Sequence, residues 1–315
     1  MRYVPLGNSG LLVSIVGLGC NNFGSRLDLA ATRAVIDAAI DVGITLFDTA
    51  DTYGGGGKSE ELIGESLGGR RDQIVLATKF GHQSADMGYG PAAGAKGGRR
   101  YIRHAVEQSL RRLKTDYIDL YQIHTPDQKT PIAETLAALN ELVTEGKVRY
   151  FGHSNFSGWQ LAEAAMLADH RGWQPFISAQ NHWSLLERAA EAEVVPAAKH
   201  FGLGVLPYFP LANGLLTGKI RRGQPALEGT RLAGRQGYVT DAKLDIVEAL
   251  AEWGKAHDVS LLQIAIGCLA AQPGCSSVIA GATSPEQVKA NAAADWVSSA
   301  QELAEVDAIT LGLTS

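Results

Sequence analysis

The stretch "ITLFDTADTYGGGGKSE", residues 44–60, runs from an apolar strand-like segment through a glycine-rich turn into a helical pattern. It ends in Gly-Lys-Ser, as does the loop that cradles the phosphates of a nucleoside triphosphate. That motif also needs a glycine five residues before its Gly-Lys pair, and Thr52 occupies this position. The stretch therefore predicts a strand, a turn and a helix with Ser59 as its N-cap. The polar groups that can do chemistry lie before the glycines, at Asp48 and Tyr53.

The same alternation of strand and helix patterns continues along the chain. A hairpin precedes it, with "RYVPLG" and "LLVSIV" flanking the turn Asn8-Ser9-Gly10. The predicted strands are 15–19, 44–48, 74–79, 117–124, 148–155, 176–180, 204–208 and 277–281. The predicted helices lie near 29–42, 58–68, 99–113, 131–145, 157–170, 190–201, 240–256 and 284–294. About eight such units close a (β/α)8 TIM barrel, so we expect a single α/β domain over 1–315 with an N-terminal β-hairpin outside the count. A Rossmann sheet fits poorly, because the glycines of "GLGCNNFG" do not have the dinucleotide-binding spacing.

Composition excludes several classes of protein. The chain has 315 residues, 45% of them apolar, and a net charge of -5, which argues against disorder and against a dedicated nucleic-acid binder. No run of 18 apolar residues is present, and the N-terminus lacks the apolar core of a signal peptide. Its three cysteines form no C-x-x-C motif, which suggests reduced thiols. We expect a cytoplasmic protein with no nucleic-acid or membrane partner.

Polar side chains close most of the apolar strand patterns. They are Asp48, Lys79, His124, Asn155, Gln180 and Tyr208. Each of these residues, taken alone, could have a purely structural role. An aspartate can cap a turn, a lysine can be exposed to solvent, and a histidine can be hydrogen-bonded in the core. Because the carboxyl ends of barrel strands meet at one mouth, the set as a whole predicts an active site there.

The residue types in this set limit the chemistry. A tyrosine titrates near ~10 in water, which is too high for efficient proton donation at neutral pH. A nearby Lys79 cation is expected to lower that pKa, with Asp48 holding Lys79 charged and His124 orienting a carbonyl or sharing the proton. No His/Cys/Glu spacing supports a metal site, and no serine nucleophile elbow is present. The set suits protonation of a carbonyl oxygen while a nicotinamide delivers hydride to carbon.

At this point the sequence resembles the aldo-keto reductase superfamily over nearly its whole length. The segments "FDTADTYG", "LATKFG" and "YIDLYQIHTPD" are similar to those that carry the catalytic tetrad of the family. The resemblance implies that Asp48, Tyr53, Lys79 and His124 are catalytic. Near the C-terminus, "VIAGATSPEQVKANAAA" resembles the bacterial and channel-subunit branches of the family.

The resemblance also implies where a nicotinamide cofactor binds. Through "GHSNFS", "AQNHWSLLER" and "YFPLANGLLTGK", it assigns Ser154, Asn155 and Gln180 to the carboxamide and Tyr208 to stacking on the nicotinamide ring. The remaining candidate cofactor residues are Leu211, Gly214, Leu215, Lys219, Arg231, Thr283, Gln287 and Asn291. At two places the sequence differs from the family pattern at positions that contact the phosphate groups of the cofactor. Phe209 replaces the usual serine, and Gly281 and Gln287 stand where some members carry Lys and Arg on the 2′-phosphate. NADP(H) is expected, with NAD(H) as the alternative.

The resulting prediction is an NADP(H)-dependent oxidoreductase that reduces small aldehydes or ketones to alcohols. We expect a largely apolar substrate pocket that includes Asn22, Phe23, Phe80 and Trp183. Two alternatives stay open. One is an NAD-linked aldose or sugar dehydrogenase, and the other is a cofactor-binding regulatory subunit like the potassium-channel β subunits. His124 argues against the second, because those subunits resemble the family with Asn at this position.

Overall fold

The computed structural model describes residues 1–220, 222–223 and 236–312. A small antiparallel pair comprises β1 (Tyr3–Pro5) and β2 (Leu12–Ser14). The main sheet comprises β3 (Val16–Gly19), β4 (Leu46–Asp48), β5 (Val75–Phe80), β6 (Ile118–Ile123), β7 (Val148–Ser154), β8 (Ser178–Gln180), β9 (Gly204–Val205) and β10 (Val278–Gly281). The hairpin and the sequence of strands predicted from the patterns are confirmed, with boundaries shifted by a few residues.

Helices connect the strands of the main sheet. They are α1 (Leu29–Asp41), α2 (Tyr53–Gly56), α3 (Lys58–Leu67), α4 (Arg99–Leu113), α5 (Ile132–Thr144), α6 (Gly158–Arg171), α7 (Val194–Phe201), α8 (Asp241–His257), α9 (Leu261–Gln263), α10 (Leu269–Ala271), α11 (Pro285–Ala293) and α12 (Ala300–Gly312). A π-helical segment, Ile264–Cys268, joins α9 to α10. The patterns predicted neither this α9–α10 segment nor α12. None of the helices in the described ranges is both long and apolar enough to cross a membrane.

The eight strands of the main sheet are all parallel. Their order is β10-β3-β4-β5-β6-β7-β8-β9, so strands that are consecutive in the chain are neighbours in the sheet. Isolated parallel bridges from Val205 to Cys275 and from Tyr208 to Ile279 link the two end strands. The sheet therefore curls back on itself, and all of its carboxyl ends lie at one mouth.

The hairpin packs against the opposite, amino-terminal end of the sheet. Leu6 and Val13 are fully buried there, in one cluster with Leu46, Leu120 and other strand residues. The Asn8 backbone N–H donates to the Gly202 carbonyl, which ties the hairpin turn to the start of β9. Apolar packing at this end supports the fold at a distance from the polar mouth.

The glycine run after Tyr53 adopts a conformation that only glycine accepts easily. Gly54 through Gly57 all have φ between 73° and 98°. A side chain at Gly57 would collide with the Arg112 guanidinium, and one at Gly54 would lie 2.7 Å from the Phe23 carbonyl oxygen. The run is a turn that is closely packed at Gly54 and Gly57 and open at Gly55 and Gly56, and it follows Tyr53 at the mouth.

The prediction of Ser59 as a helix N-cap is wrong. Gly57 precedes α3, and Ser59 lies inside its first turn. The Ser59 hydroxyl donates to the Cys20 carbonyl at 2.9 Å and lies 2.8 Å from the Thr49 hydroxyl. The side chain anchors α3 to the loops at the mouth, and so its polar group is used in tertiary contacts.

We expect Leu6→Ala to destabilise the fold without affecting the mouth. Truncating a fully buried leucine typically costs about 2–5 kcal/mol, because a cavity remains. Chemical denaturation measures the loss, and the kcat of the folded variant should equal that of wild type. Leu12→Ala, on the same hairpin but 56% exposed, is the control, and its expected change is within about 0.5 kcal/mol. Equal losses in the two variants would contradict the proposed role of the hairpin.

Candidate active site

A cavity of about 720 Å³ opens at the carboxyl ends of the strands. Strand register brings the predicted polar residues to this level, since Asp48 pairs with Gly19 and Ala77 of its neighbours, and Ser154 pairs with Gln180. The predicted residues that line the cavity are Asp48, Tyr53, His124, Ser154, Asn155, Gln180, Tyr208, Leu211, Gly214, Lys219, Thr283, Gln287, Asn291 and Asn22. All of the predicted strand-end residues except Lys79 line the cavity, and most of the other lining residues in this set were implied by the family resemblance.

Lys79 and Asp48 form a buried ion pair beneath this cavity. The Lys79 ammonium donates to both Asp48 carboxylate oxygens, at 2.6 and 2.8 Å, and to the Thr49 carbonyl at 3.0 Å. Burial lowers the pKa of Lys79, but the contact with Asp48 more than offsets it, and the net pKa is raised. The lysine is thus held as a cation in a fixed position.

The Tyr53 hydroxyl lies 3.5 Å from the Lys79 ammonium. The cation lies 5.1 Å from the centre of the Tyr53 ring. Desolvation raises the pKa of Tyr53, and the opposing effect of Lys79 does not outweigh it. The prediction that Lys79 lowers the pKa of Tyr53 below its ordinary value is therefore wrong for the protein without a bound cofactor or substrate. The phenol remains protonated at neutral pH and can act as a proton donor.

His124 is a neutral imidazole in this site. Burial lowers the pKa of His124 to about 2, and the nearby Lys79 and His82 add to the effect. Its Nδ1 is buried and has no hydrogen-bond partner among the described residues. The ring meets Tyr53 edge-on at 5.8 Å between centroids. A neutral ring at this place can orient a polar group, but it is a poor proton source.

A hydrogen-bonded set of amides lies on the wall facing Tyr53. The Tyr208 hydroxyl donates to the Asn155 side-chain oxygen at 2.8 Å, and the Asn155 amide donates to the His124 carbonyl at 2.9 Å. The Gln180 amide donates to Asp48 at 2.9 Å. The Ser154 hydroxyl donates to the Gln180 carbonyl at 2.9 Å. These contacts fix the side chains that the resemblance assigns to the carboxamide.

The far end of the cavity lies at the start of α11. Ser284 caps that helix by accepting from the Gln287 N–H, and the Gln287 side-chain oxygen accepts from the Thr283 N–H at 2.9 Å. Lys219 and Asn291 also line this end. Leu215 is fully buried and does not line the cavity. Arg231 lies outside the described residues.

The prediction of a largely apolar substrate pocket is wrong for three of its four named residues. Phe23, Phe80 and Trp183 are core residues with at most 1% exposure, and none lines the cavity. Phe80 stacks on Tyr121 behind the sheet, and the Trp183 indole donates to Glu191. Apolar side chains next to a strand end can point outward into the helix layer, so proximity in sequence misled the prediction.

Polar residues occupy the wall where the aromatic side chains were expected. They are Asn21, Arg26, Thr52, His82 and Ser84. Asn21 and Arg26 follow β3, Thr52 follows β4, and His82 and Ser84 follow β5. This position at strand ends is the signal that could have revealed them.

The cavity suits a nicotinamide dinucleotide. Its volume lies within the range of about 300–1,000 Å³ typical of ligand pockets. Amide and hydroxyl groups line one end, and the other end carries a helix N-terminus and a lysine, the groups that recognise phosphate. Among the described residues, no group of three or more His, Cys, Asp or Glu side chains could hold a metal ion. These residues fit an organic cofactor with an amide head and phosphate groups.

Comparisons with known proteins agree with this geometry. Residues 15–310 match the model of the aldo/keto reductase family. The chain is 40% identical to the uncharacterized oxidoreductase YrpG of Bacillus subtilis, over 92% of this chain and 89% of that protein. It is 36% identical to a probable voltage-gated potassium channel subunit beta of rice, over 92% and 90% of the two chains. It is 34% identical to L-glyceraldehyde 3-phosphate reductase of Escherichia coli, over 98% and 92%.

The chain belongs to the aldo/keto reductase family. Membership implies carbonyl reduction with a nicotinamide cofactor, and so the chain is an oxidoreductase.

A second buried carboxyl group, that of Asp51, lies shortly before Tyr53 in the chain. Asp51 is fully buried, and neither carboxylate oxygen has a hydrogen-bond partner among the described residues. Burial and the neighbouring Glu60 raise the pKa of Asp51 to about 7. Glu60 itself is paired with Arg112 at 2.7 Å. Asp51 is therefore the member of this cluster that titrates near neutrality.

Asp51→Asn should change how stability depends on pH. Because the folded-state pKa lies above the ordinary value of 3.8, the contribution of Asp51 to stability is present at low pH and is lost as pH rises to about 7. The loss amounts to roughly 1 kcal/mol per pH unit. In urea denaturation, variant minus wild-type stability should rise between pH 4 and 7 and then level off. Asp169→Asn, on the exposed face of α6, is the control. If the stability of Asp169→Asn relative to wild type shows the same pH dependence, the effect comes from the change in net charge and not from the burial of Asp51.

Proposed function

We propose that this protein is an NADP(H)-dependent oxidoreductase that reduces aldehydes or ketones to alcohols, with Tyr53 as the general acid. The observation that carries the proposal is the buried Lys79–Asp48 pair with the Tyr53 hydroxyl 3.5 Å from its ammonium. We also infer that the curled sheet is the closed (β/α)8 barrel of the family.

The chemistry divides between the cofactor and the protein. The cofactor, when bound, would provide the hydride that is added to the carbonyl carbon. Tyr53 donates its phenolic proton to the carbonyl oxygen, so that the negative charge never rests fully on the alcohol oxygen. The phenolate that remains is stabilised by the Lys79 cation and then takes a proton from solvent. In the reverse direction the same groups catalyse alcohol oxidation.

Four further side chains have positioning roles in this mechanism. Asp48 keeps Lys79 charged and fixed through two hydrogen bonds. Neutral His124 orients the carbonyl oxygen toward Tyr53 without competing to donate a full proton. Tyr208 and Asn155 hold the opposite wall, where the nicotinamide ring and its carboxamide are expected to bind.

Tyr53→Phe should retain the aromatic ring and remove the phenolic hydroxyl that donates the proton. General acid catalysis typically contributes ~10²–10⁴-fold, so kcat should fall by that factor, while the Kd for NADPH should change little. Steady-state turnover and NADPH fluorescence titration measure the two quantities. Tyr3→Phe, at the far end of the fold, is the control. A Tyr53→Phe enzyme with near-normal turnover in an assay limited by chemistry would remove Tyr53 from the mechanism.

The preference for NADP(H) rests on the far end of the cavity. A 2′-phosphate is a dianion that needs cationic or charge-assisted partners. Lys219 lines this end, together with Thr283 and Gln287 at the start of α11. Arg231, which lies outside the described residues, is a second candidate cation from the sequence. Phosphate recognition by these groups is the basis for placing NADPH ahead of NADH.

NADPH should bind about ten- to a hundred-fold more tightly than NADH, since one charge-assisted contact contributes about 1.5–3 kcal/mol. Lys219→Ala or Arg231→Ala should weaken NADPH binding toward that of NADH and leave NADH binding unchanged. Fluorescence titration with both cofactors tests this, and Lys255→Ala, an exposed lysine on α8, is the control. Equal wild-type affinities for the two cofactors would favour the NAD-linked dehydrogenase.

A cofactor-binding regulatory subunit is the second candidate, and the similarity to the rice channel subunit supports it. The two functions differ in turnover. A regulatory subunit would bind NADPH and leave a panel of aldehydes and ketones unreduced, whereas the proposed enzyme consumes NADPH with at least one of them.

A further inference from the structure

The cavity wall beside Tyr53 is polar and carries one cation. Arg26, His82 and Ser84 line it together with Asn21 and Thr52. Asp48 is the single carboxylate among the described lining residues, and Lys79 already neutralises it. Arg26 is exposed and forms no ion pair within the described parts of the chain. The electrostatic balance on this side of the cavity therefore favours an anion.

The turn that carries Arg26 is fixed in place. Phe23 and Leu27 are buried on either side of it and pair as an isolated bridge. The Arg26 N–H donates to the Asn22 carbonyl at 2.9 Å. The Phe23 carbonyl closely approaches Gly54, so the turn packs against the segment that carries Tyr53. Arg26 thus belongs to a rigid turn on the Tyr53 side of the mouth.

His82 is held in one tautomer on the same side. Its Nδ1 accepts from the Ser84 N–H at 3.3 Å, so Nε2 carries the proton of the neutral ring. Burial and the nearby Lys96 lower the pKa of His82, which keeps the ring neutral. Lys96 also donates to the Gln83 and Ala85 carbonyls, at 2.9 and 2.6 Å, and this fixes the loop. The His82 ring lies 4.6 Å from that of His124, so it borders the place where a carbonyl is expected.

We propose that Arg26 and His82 form a subsite for an anionic group, a carboxylate or a phosphate, on the carbonyl substrate. This inference rests on the proposed function, because it places the carbonyl of the same molecule at Tyr53. Arg26 supplies the charge and a planar fork of donors that matches either anion. His82 and Ser84 supply neutral polar contacts on a fixed loop. The substrate class is thus an aldehyde or ketone with a negatively charged group.

Three benzaldehydes that differ in one substituent test the subsite. They carry a 4-methyl group, a 4-carboxylate or a 4-phosphate ester. For wild type at low ionic strength, we expect kcat/KM to be about tenfold higher for at least one anionic aldehyde than for the methyl compound. Added salt should reduce this ratio, because Arg26 is exposed and its field is screened. The two anionic compounds show which anion the subsite prefers.

Arg26→Gln should lower the anionic-to-neutral ratio of kcat/KM about tenfold, and Arg26→Lys should retain part of the preference. Arg100→Gln removes an exposed arginine on α4 that does not line the cavity, and its ratio should match that of wild type. An unchanged ratio in Arg26→Gln would overturn the proposal. A loss of NADPH affinity in Arg26→Gln with an unchanged ratio would assign Arg26 to the cofactor instead.

A binding measurement separates this inference from the proposed function. Calorimetric titration with 4-(hydroxymethyl)benzoate needs no turnover, and wild type should bind it about tenfold more tightly than Arg26→Gln does. If no aldehyde is reduced but this difference holds, the proposed function fails and the subsite stands. If all three aldehydes are reduced with equal kcat/KM and wild type shows no advantage in binding, the subsite fails and the proposed function stands.

Discussion

The buried pair between the Lys79 ammonium and the Asp48 carboxylate is the constraint on which the mouth of the sheet depends. Neither charge can be left alone in the interior, because removing one partner of such a pair typically costs ~3–5 kcal/mol. The pair joins β4 to β5, and Asp48 also accepts from Gln180 at the end of β8. One carboxylate thus ties neighbouring and distant strands together. It also holds the Lys79 cation 3.5 Å from the Tyr53 hydroxyl, and in the proposed mechanism this distance determines how well the cation stabilises the phenolate.

The apolar contacts that stabilise the fold and the polar residues of the candidate active site lie at opposite ends of the sheet. At the amino-terminal end, the hairpin buries Leu6 and Val13 against the first residues of the strands, and the contacts are apolar. At the carboxyl end, the loops carry buried polar groups whose hydrogen bonds hold them in place. In such a fold, residues at the mouth, including Arg26 and His82 of the proposed subsite, can differ without loss of the apolar contacts that support the sheet.

Much of the fold followed from periodicity and turn chemistry. The hairpin, the eight parallel strands and most helices were predicted, because alternating apolar strands and amphipathic helices leave strong local patterns. The α9–α10 segment and α12 were not. The Ser59 cap was wrong because the side chain found tertiary partners in Cys20 and Thr49. For the site, the strand-end rule brought Asp48, Lys79 and His124 to one mouth, and Tyr53 came from the stretch before the glycines. The separate prediction of the substrate pocket was wrong for Phe80 and Trp183, which are core residues.

Sequence alone determined which chemistry-bearing residues exist and at which strand ends they lie, because parallel strands with helical connections bring all carboxyl ends to one mouth. It also carried the resemblance that the family match later confirmed. Only the tertiary structure decided the protonation states and the lining of the cavity. Whether the pKa of Tyr53 rises or falls depends on a balance between desolvation and the Lys79 charge, and both change steeply with distance and burial. Likewise, the direction in which Phe23 or Arg26 points is set by packing between segments far apart in the chain, which no local pattern records.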